Sequence, residues 1–123
     1  MPRSPRVREW LESLDTEQRA DVDEAIHYLE QHGVTAAMPD VKLRIQTSRH
    51  YPDMGEVRVD PDADHLFRVL FCFDGATPVL LVGGNKASRP RSWYEDAVPL
   101  ADQLFDEYLR LRKKASDEED HRV

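Results

Sequence analysis

Residues 66–84 read LFRVLFCFDGATPVLLVGG and carry the clearest fold signal of the chain. Two apolar runs, residues 66–73 and 78–82, flank Asp74 and Gly75, a dipeptide typical of tight turns. The pattern predicts a β-hairpin whose first strand gives the strongest strand signal of the chain. Because the second run is almost continuously apolar, we expect it to lie centrally in the sheet, with its proline at the first position.

Upstream of this hairpin, apolar residues recur with helical spacing. Asp15 and Gln18 have the three-residue separation of a capping box, and Gly33 is a typical C-terminal stop. Residues 6–32 therefore predict a hairpin of two helices that meet near Asp15. The two apolar stripes consist of Val7, Trp10, Leu11 and Leu14, and of Val22, Ala25, Ile26 and Leu29.

Alternating apolar and charged residues predict two further strands, over residues 41–45 and 56–59. The C-terminal part returns to helical spacing, and Pro99 inside it predicts a kink or two abutting helices. Residues 112–123 carry charges and almost no apolar side chains, which predicts a disordered tail. The C-terminal stripe consists of Trp93, Ala97, Ala101, Leu104, Phe105, Tyr108 and Leu111.

This order of elements predicts a single α+β domain over residues 1–111, with helices packed on one face of an antiparallel sheet. Cys72 is the only cysteine, which excludes an internal disulfide and a multi-cysteine zinc site, and we expect a buried, inert thiol. The five histidines lack ligand spacing, so we expect no metal and no cofactor. No apolar run approaches the ~20 residues of a membrane span. The start of the chain lacks the apolar core of a signal peptide, so we expect a cytoplasmic protein with no membrane partner.

The formal net charge of −7 argues against a protein that coats nucleic acid nonspecifically. The charge is unevenly distributed, however. Residues 1–40 carry four basic and nine acidic residues, and residues 92–123 carry five and nine, whereas residues 41–91 carry eight and six. The central part, which contains the predicted strands, is therefore the only basic third of the chain.

Several of these basic residues fall within the predicted sheet. Alternation places Glu56 and Arg58 on the face opposite the neighbouring valines, and Arg68 interrupts an apolar strand. Lys86 follows the glycines at 83–84, which predict a flexible loop at the strand end. Such a set is typical of a groove that binds an RNA backbone. The alternative is an ordinary solvated face on which an arginine pairs with Glu56 across strands.

Five sequence motifs occur in order along residues 7–109. They are Val7-x-x-Trp10-Leu11-x-x-Leu14; Ser48-Arg49-His50 with Met54-x-Glu56-Val57-Arg58; Phe67-Arg68-Val69-Leu70-Phe71-x-Phe73-Asp74; Leu80-Leu81-Val82-Gly83-Gly84-Asn85-Lys86; and Trp93-Tyr94-Glu95-x-Ala97-Val98-Pro99 with its continuation to Leu109. Together they resemble the RelE/ParE superfamily of toxins, and specifically its HigB-like branch, whose members belong to type II toxin–antitoxin systems.

The resemblance implies a RelE-like fold, with two N-terminal helices on one face of a small twisted antiparallel sheet and a C-terminal helix. It also implies a ribosome-dependent mRNA endoribonuclease that inhibits translation without a metal. In such enzymes the 2′-hydroxyl attacks the neighbouring phosphate. This reaction needs a base, cations at the phosphate and an acid for the leaving oxygen.

By position in the family motifs, Arg58 and Arg68 would clamp the phosphate and Lys86 would add positive charge. Tyr94 would stack on a base or orient the phosphate. Arginine 89 or 91 would stand in for the family's loop arginine. The basic residues expected to contact RNA are Arg49, Arg89, Arg91, Lys42 and Arg44.

The general base stays open between Glu56, which neighbouring arginines favour as a carboxylate, and His50, since imidazoles titrate near neutrality. Three departures from the family put catalysis in question. The first edge strand is missing, Asn85 replaces an aspartate, and Gly55 replaces a lysine of the groove.

The alternative function is a catalytically weak protein of the same fold that inhibits gyrase or binds an antitoxin and regulates its operon. An unrelated ligand-binding α+β domain is a third reading. The resemblance implies two partners, a cognate helix-turn-helix antitoxin and mRNA on the ribosome. An open sheet edge could accept a strand of that antitoxin.

Overall fold

The computed structural model describes residues 1–120, which form three helices and one antiparallel sheet in the strand order β1-β2-β3-β4. A 3-10 turn, Gly33–Thr35, follows the second helix. The elements are α1 (Pro5–Ser13), α2 (Thr16–His32), β1 (Val41–Lys42), β2 (Met54–Asp62), β3 (His65–Asp74), β4 (Thr77–Asn85) and α3 (Ser92–Asp120). The α+β class predicted from the sequence is thus confirmed.

The N-terminal helical hairpin is also confirmed, and side-chain caps define its ends. Ser4 caps α1, because its hydroxyl accepts a hydrogen bond from the Val7 amide at 3.2 Å. Asp15 and Gln18 form a reciprocal capping box at the start of α2. Gly33, at φ +51°, ends that helix in the left-handed region that favours glycine. These local signals explain why the hairpin is readable from the sequence.

Two separate apolar cores lie on the two faces of the sheet. The first joins α1 and α2 to residues such as Val57, Val69 and Phe71. The second joins α3 to residues such as Leu70 and Leu81 on the opposite face. The expectation that all helices cover one face is therefore wrong for α3. Because β3 and β4 are apolar on both faces, they require a covering layer on each side.

The strand β4 lies at the edge of the sheet and not at its centre, which corrects the prediction drawn from its apolar run. Its residues are apolar because both cores bury them. No strand precedes α1 among the described residues. Instead, Arg3 forms an isolated parallel bridge with Leu80, whose amide and carbonyl bond to Pro2 and Ser4 at 2.9 Å. In the absence of a first strand from the described residues, the N-terminal residues thus cover part of the exposed edge of β4.

The two glycines of the fourth motif belong to β4 and do not form a flexible loop. A Cβ at Gly83 would lie 2.2 Å from the Trp10 ring, and a Cβ at Gly84 would lie 2.7 Å from Nε1 of Trp93. Glycine at both positions therefore allows a tryptophan to pack directly on each face of the strand.

The helix α3 is continuous from Ser92 to Asp120, with Pro99 inside it. The prediction of two abutting helices is therefore wrong. The structure also continues α3 over residues 112–120, where the sequence predicts a disordered tail. Residues 112–119 are rich in good helix formers but expose their side chains. The rest of the predicted tail, residues 121–123, lies outside the described residues, and the domain boundary at 111 stays a prediction.

Among the helices within residues 1–120, none combines the length and the apolar character that a membrane crossing requires.

Candidate functional site

The sheet face that carries α3 is only partly covered. The helix packs mainly on β3 and β4 and leaves the β1–β2 end open. A cavity of about 670 Å³ lies there, between β2, the loop after β1 and the first turn of α3. It is lined by Lys42, Arg44, Ile45, Gln46, Thr47, Glu56, Arg58, Lys86, Pro90, Arg91 and Tyr94. Five cations and one carboxylate therefore surround one cavity in a chain of net charge −7.

Glu56 supplies the single carboxylate of this cavity. Its side chain is 4% exposed, and its Oε1 lies 3.8 Å from Nε of Arg58 and 4.0 Å from Nε of Arg68. These separations are too long for hydrogen bonds. Oε2 of Glu56 and both Nε atoms are buried without a hydrogen-bond partner in the described structure. Since buried polar atoms are normally satisfied, this cluster retains bonding capacity for a bound molecule.

Arg68 lies beneath the cavity and does not line it. Its side chain is 1% exposed. The guanidinium forms an ion pair with Asp60 and donates a 2.8 Å hydrogen bond to the carbonyl of Phe67. Arg68 and Arg58 are direct neighbours across β2 and β3. Direct contact of Arg68 with a phosphate stays a prediction. In the structure, the charged group that it meets on the cavity side is Glu56, whose Oε1 lies 4.0 Å from Nε of Arg68.

Asp60 was missed by the sequence analysis, although the strand period signals it. Positions 56, 58 and 60 share one face of β2 by alternation, and Asp60 is the third of these. Its carboxylate occupies the guanidinium of Arg68, which leaves Nε of that arginine directed toward Glu56.

Lys86 and Tyr94 face each other across the cavity wall, with Nζ of the lysine 5.3 Å from the ring centroid. Burial, followed by the nearby Arg68 charge, lowers the pKa of Lys86. Burial and the Glu56 carboxylate raise the pKa of Tyr94 to about 12. At neutral pH, Lys86 is thus a stronger acid than an ordinary lysine, and Tyr94 is a neutral phenol that can donate a hydrogen bond.

Asn85 fixes the segment that carries Lys86. Its side-chain oxygen accepts from the amides of Leu66 and Ala87, and its amide donates to the Asp64 carbonyl, each at 3.0 Å. An aspartate could accept the first two bonds but could not donate the third. The replacement therefore strengthens the local structure and removes no residue from the lining of the cavity.

Gly55 does not belong to the cavity. A Cβ at this position would lie 2.5 Å from the Phe71 ring and 2.9 Å from the Lys42 carbonyl. Phe71 belongs to the core under α1 and α2, so position 55 points away from Glu56. The expectation that this glycine removes a cation from the groove is therefore wrong.

The Ser48-Arg49-His50 motif binds α3 and does not line the cavity. The Ser48 hydroxyl donates to Asp102 at 2.5 Å, and Nε2 of His50 lies 2.6 Å from Asp106. The Arg49 guanidinium donates to Asp106 at 2.7 Å. Burial opposes ionisation of Asp106, but the bonds from His50 and Arg49 outweigh it and lower the pKa of that carboxyl. His50 as general base therefore has no geometric support.

The remaining basic residues divide between the cavity and its surroundings. Lys42, Arg44 and Arg91 are exposed lining residues of the cavity. Arg89 lies outside the lining, where it donates to Asp96 at 2.7 Å and to the Ser92 hydroxyl at 3.1 Å at the start of α3. Of the two candidates for the loop arginine, only Arg91 lines the cavity.

The part of the chain that the structure describes contains no group of three or more residues suited to hold a metal ion.

The chain matches the family model described as phage-derived protein Gp49-like (DUF891) over residues 9–106. Two similar proteins of Mycobacterium tuberculosis (strain ATCC 25618 / H37Rv) are named as candidate toxins, HigB2 and HigB3. HigB2 is 37% identical over 105 residues, which cover 85% of this chain and 51% of HigB2. HigB3 is 36% identical over 106 residues, which cover 85% of this chain and 89% of HigB3. The chain thus spans about half the length of HigB2.

No solved structure significantly matches the chain. The family model nevertheless covers most of it, and HigB3 aligns with it over nearly the whole length of both proteins. The protein therefore belongs to the phage-derived Gp49-like family and is a HigB-like member of it.

Proposed function

We propose that this protein is the toxin of a toxin–antitoxin pair and that it cleaves mRNA on the ribosome without a metal. The observation that carries the proposal is the cavity over β2, where five cations surround a buried carboxylate with an unsatisfied oxygen. Its relatives HigB2 and HigB3 are named as candidate toxins, which supports the first part of the proposal. The cavity chemistry supports the second part.

Glu56 is the proton acceptor of the proposed reaction. Its free Oε2 takes the proton of the 2′-hydroxyl while the 2′-oxygen attacks the adjacent phosphorus. The bond from phosphorus to the 5′-oxygen then breaks, which leaves a 2′,3′-cyclic phosphate. Arg68 acts as a positioning residue, because its buried guanidinium places positive charge beside the carboxylate, with Nε 4.0 Å from Oε1 of Glu56.

Lys86 supplies the proton to the leaving 5′-oxygen, and its lowered pKa suits that role. Arg58, together with the cations at the rim, neutralises charge that develops on the phosphate. Tyr94 remains a neutral donor to the same group, because its raised pKa keeps the phenol protonated.

The test is cleavage of a defined mRNA by the purified protein, with and without ribosomes, with the new RNA ends mapped. Glu56→Gln keeps the shape of the side chain but weakens the proton acceptor, and we expect a rate loss of roughly 100-fold or more. Arg58→Ala should also reduce cleavage strongly. Lys113→Ala, on an exposed part of α3, is the matched control and should cleave like the wild type.

Cleavage by Glu56→Gln at the wild-type rate would show that Glu56 is not the proton acceptor. Growth arrest without any RNA cleavage would contradict the nuclease proposal and favour the binding alternative. A DNA supercoiling assay then tests gyrase as the target. Co-purification with the product of the adjacent gene tests the proposed antitoxin partner.

A further inference from the structure

Tyr51 is an exposed aromatic residue that contacts Arg44, one of the residues that line the cavity. Its side chain is 46% exposed, and it is the only aromatic among the large exposed hydrophobic residues of the described chain. Exposed aromatic rings beside cationic grooves are typical of sites that stack unpaired nucleobases. Neither the family motifs nor the proposed chemistry uses this residue.

Arg44 connects Tyr51 with the cavity. The Arg44 guanidinium carbon lies 5.6 Å from the Tyr51 ring centroid, and a guanidinium nitrogen lies 3.4 Å from the phenol oxygen. Arg44 also lines the cavity that contains Glu56 and Arg58. It is the only non-glycine residue at positive φ within residues 1–120, at +62°. Such backbone conformations concentrate at functional sites.

The loop that carries Tyr51 is firmly attached to α3. Asp102 accepts hydrogen bonds from the Ser48 hydroxyl at 2.5 Å and from the Arg49 amide at 3.0 Å. His50 binds Asp106 and packs edge-on against the Phe105 ring. The Tyr51 amide in turn donates to the Ser48 carbonyl at 3.2 Å. The family motif at 48–50 thus holds the backbone of Tyr51 in place before any ligand arrives, which lowers the entropy lost on binding.

We infer that Tyr51 and Arg44 form a base-stacking subsite for a nucleotide that flanks the scissile phosphate. The Tyr51 ring stacks on the unpaired base, and Arg44 binds the phosphate between that nucleotide and the cavity. This inference rests on the proposed function and extends it, because it assigns a contact to a nucleotide outside the reacting centre.

The experiment combines variants of Tyr51 with messages that lack single bases. Ribosomes are programmed with an intact mRNA or with mRNAs that are abasic at one position on either side of the cleavage site. Cleavage is measured at limiting protein concentration for the wild type, Tyr51→Leu and Tyr51→Phe. Val34→Ala, another exposed apolar site, is the control, and thermal unfolding confirms that each variant is folded.

On the intact message, Tyr51→Leu should cleave roughly 5- to 150-fold more slowly, the range that one stacked base accounts for. Tyr51→Phe and Val34→Ala should stay close to the wild type. On the message that lacks the stacked base, the wild type should slow by a similar factor. The difference between wild type and Tyr51→Leu should disappear on that message, because neither protein can then make the stacking contact.

Wild-type cleavage by Tyr51→Leu on the intact message would overturn this inference and leave the proposed function intact. If Tyr51→Leu cleaves every abasic message more slowly than the wild type by the same factor, Tyr51 contacts a protein and not a base. That result would also overturn this inference. No cleavage of any message by the wild type would contradict the proposed function itself, and the inference with it.

Discussion

At the scale of single residues, the site is organised by a chain of charges that runs from Asp60 through Arg68 to Glu56. Asp60 is half-exposed, whereas Arg68 and Glu56 are almost fully buried. A buried carboxylate is costly unless opposite charge lies close to it. Arg68 provides that charge without forming a hydrogen bond to Glu56, so Oε2 of the carboxylate remains without a hydrogen-bond partner.

Arg68→Ala should therefore lower the stability of the fold as well as activity. Removal of one partner of a buried ion pair costs about 3–5 kcal/mol, and the partial exposure of Asp60 reduces this to about 2 kcal/mol. Urea unfolding of Arg68→Ala and of the exposed control Arg110→Ala measures the difference. Unchanged stability together with lost cleavage would instead place Arg68 in direct contact with the substrate.

The lowered pKa of Lys86 predicts the alkaline limb of the pH–rate profile. A lysine that donates a proton is active in its charged form, so the rate should fall as pH rises through its pKa. Because burial lowers that pKa, the fall should begin below the ordinary lysine value of 10.5. Lys86→Arg should retain the charge and move the alkaline limb upward. An unchanged limb in Lys86→Arg would assign the acid to another group.

At the scale of secondary-structure elements, β4 positions the site because both of its faces are packed. Trp10 of α1 lies against Gly83 on one face, and Trp93 of α3 lies against Gly84 on the other. Trp93 also contacts Tyr94 edge-on, with ring centroids 5.1 Å apart. The start of α3, and with it the cavity wall, is thus set by the absence of a side chain on β4.

Gly83→Ala should destabilise the protein, because the new methyl group would overlap the Trp10 ring. Overpacking of this kind costs about 1–3 kcal/mol. Gly75→Ala is the control, since a Cβ there meets no atom within 4 Å and only its φ of +61° is unfavourable. We expect Gly83→Ala to have the lower melting temperature of the two. The reverse order would show that the ring can move aside at little cost.

At the scale of the whole molecule, opposite charges are segregated. The helical parts of the chain are acidic, and the basic residues of the central part converge on one cavity. Because the net charge is negative, long-range attraction of RNA to the protein as a whole is weak, whereas attraction inside the cavity is strong. Such a distribution suits a protein that meets its RNA at a defined place, as the proposed ribosome-dependent activity requires.

The affinity for a short, non-cleavable single-stranded RNA should therefore fall steeply with salt. If about four phosphates are neutralised, the slope of log K against log salt is about −3, since each contributes about −0.7. Arg91→Ala should make the slope less steep by about 0.7. Arg110→Ala, outside the cavity lining, is the control and should leave it unchanged. A slope that responds equally to both variants would contradict a localised RNA site.

The helical hairpin, the central β-hairpin and the family can be predicted from the sequence, because each depends on local signals. Capping boxes, hydrophobic periods and turn residues act within a few positions of the chain. Period-2 alternation also placed Glu56 and Arg58 on one face correctly. The cations Lys42, Arg44, Lys86 and Arg91 were identified by residue type and motif alone, and the structure brings them to one cavity.

How these residues divide their roles depends on tertiary packing. Burial of Arg68 and the attachment of Ser48 to a residue 54 positions away depend on contacts that no local period encodes. The same holds for Gly55, whose direction follows from the packing of Phe71 on the opposite face. Burial and charge pairing depend on how the layers pack together. Which residues line the cavity and which support it is therefore defined only once α3 has packed on the sheet.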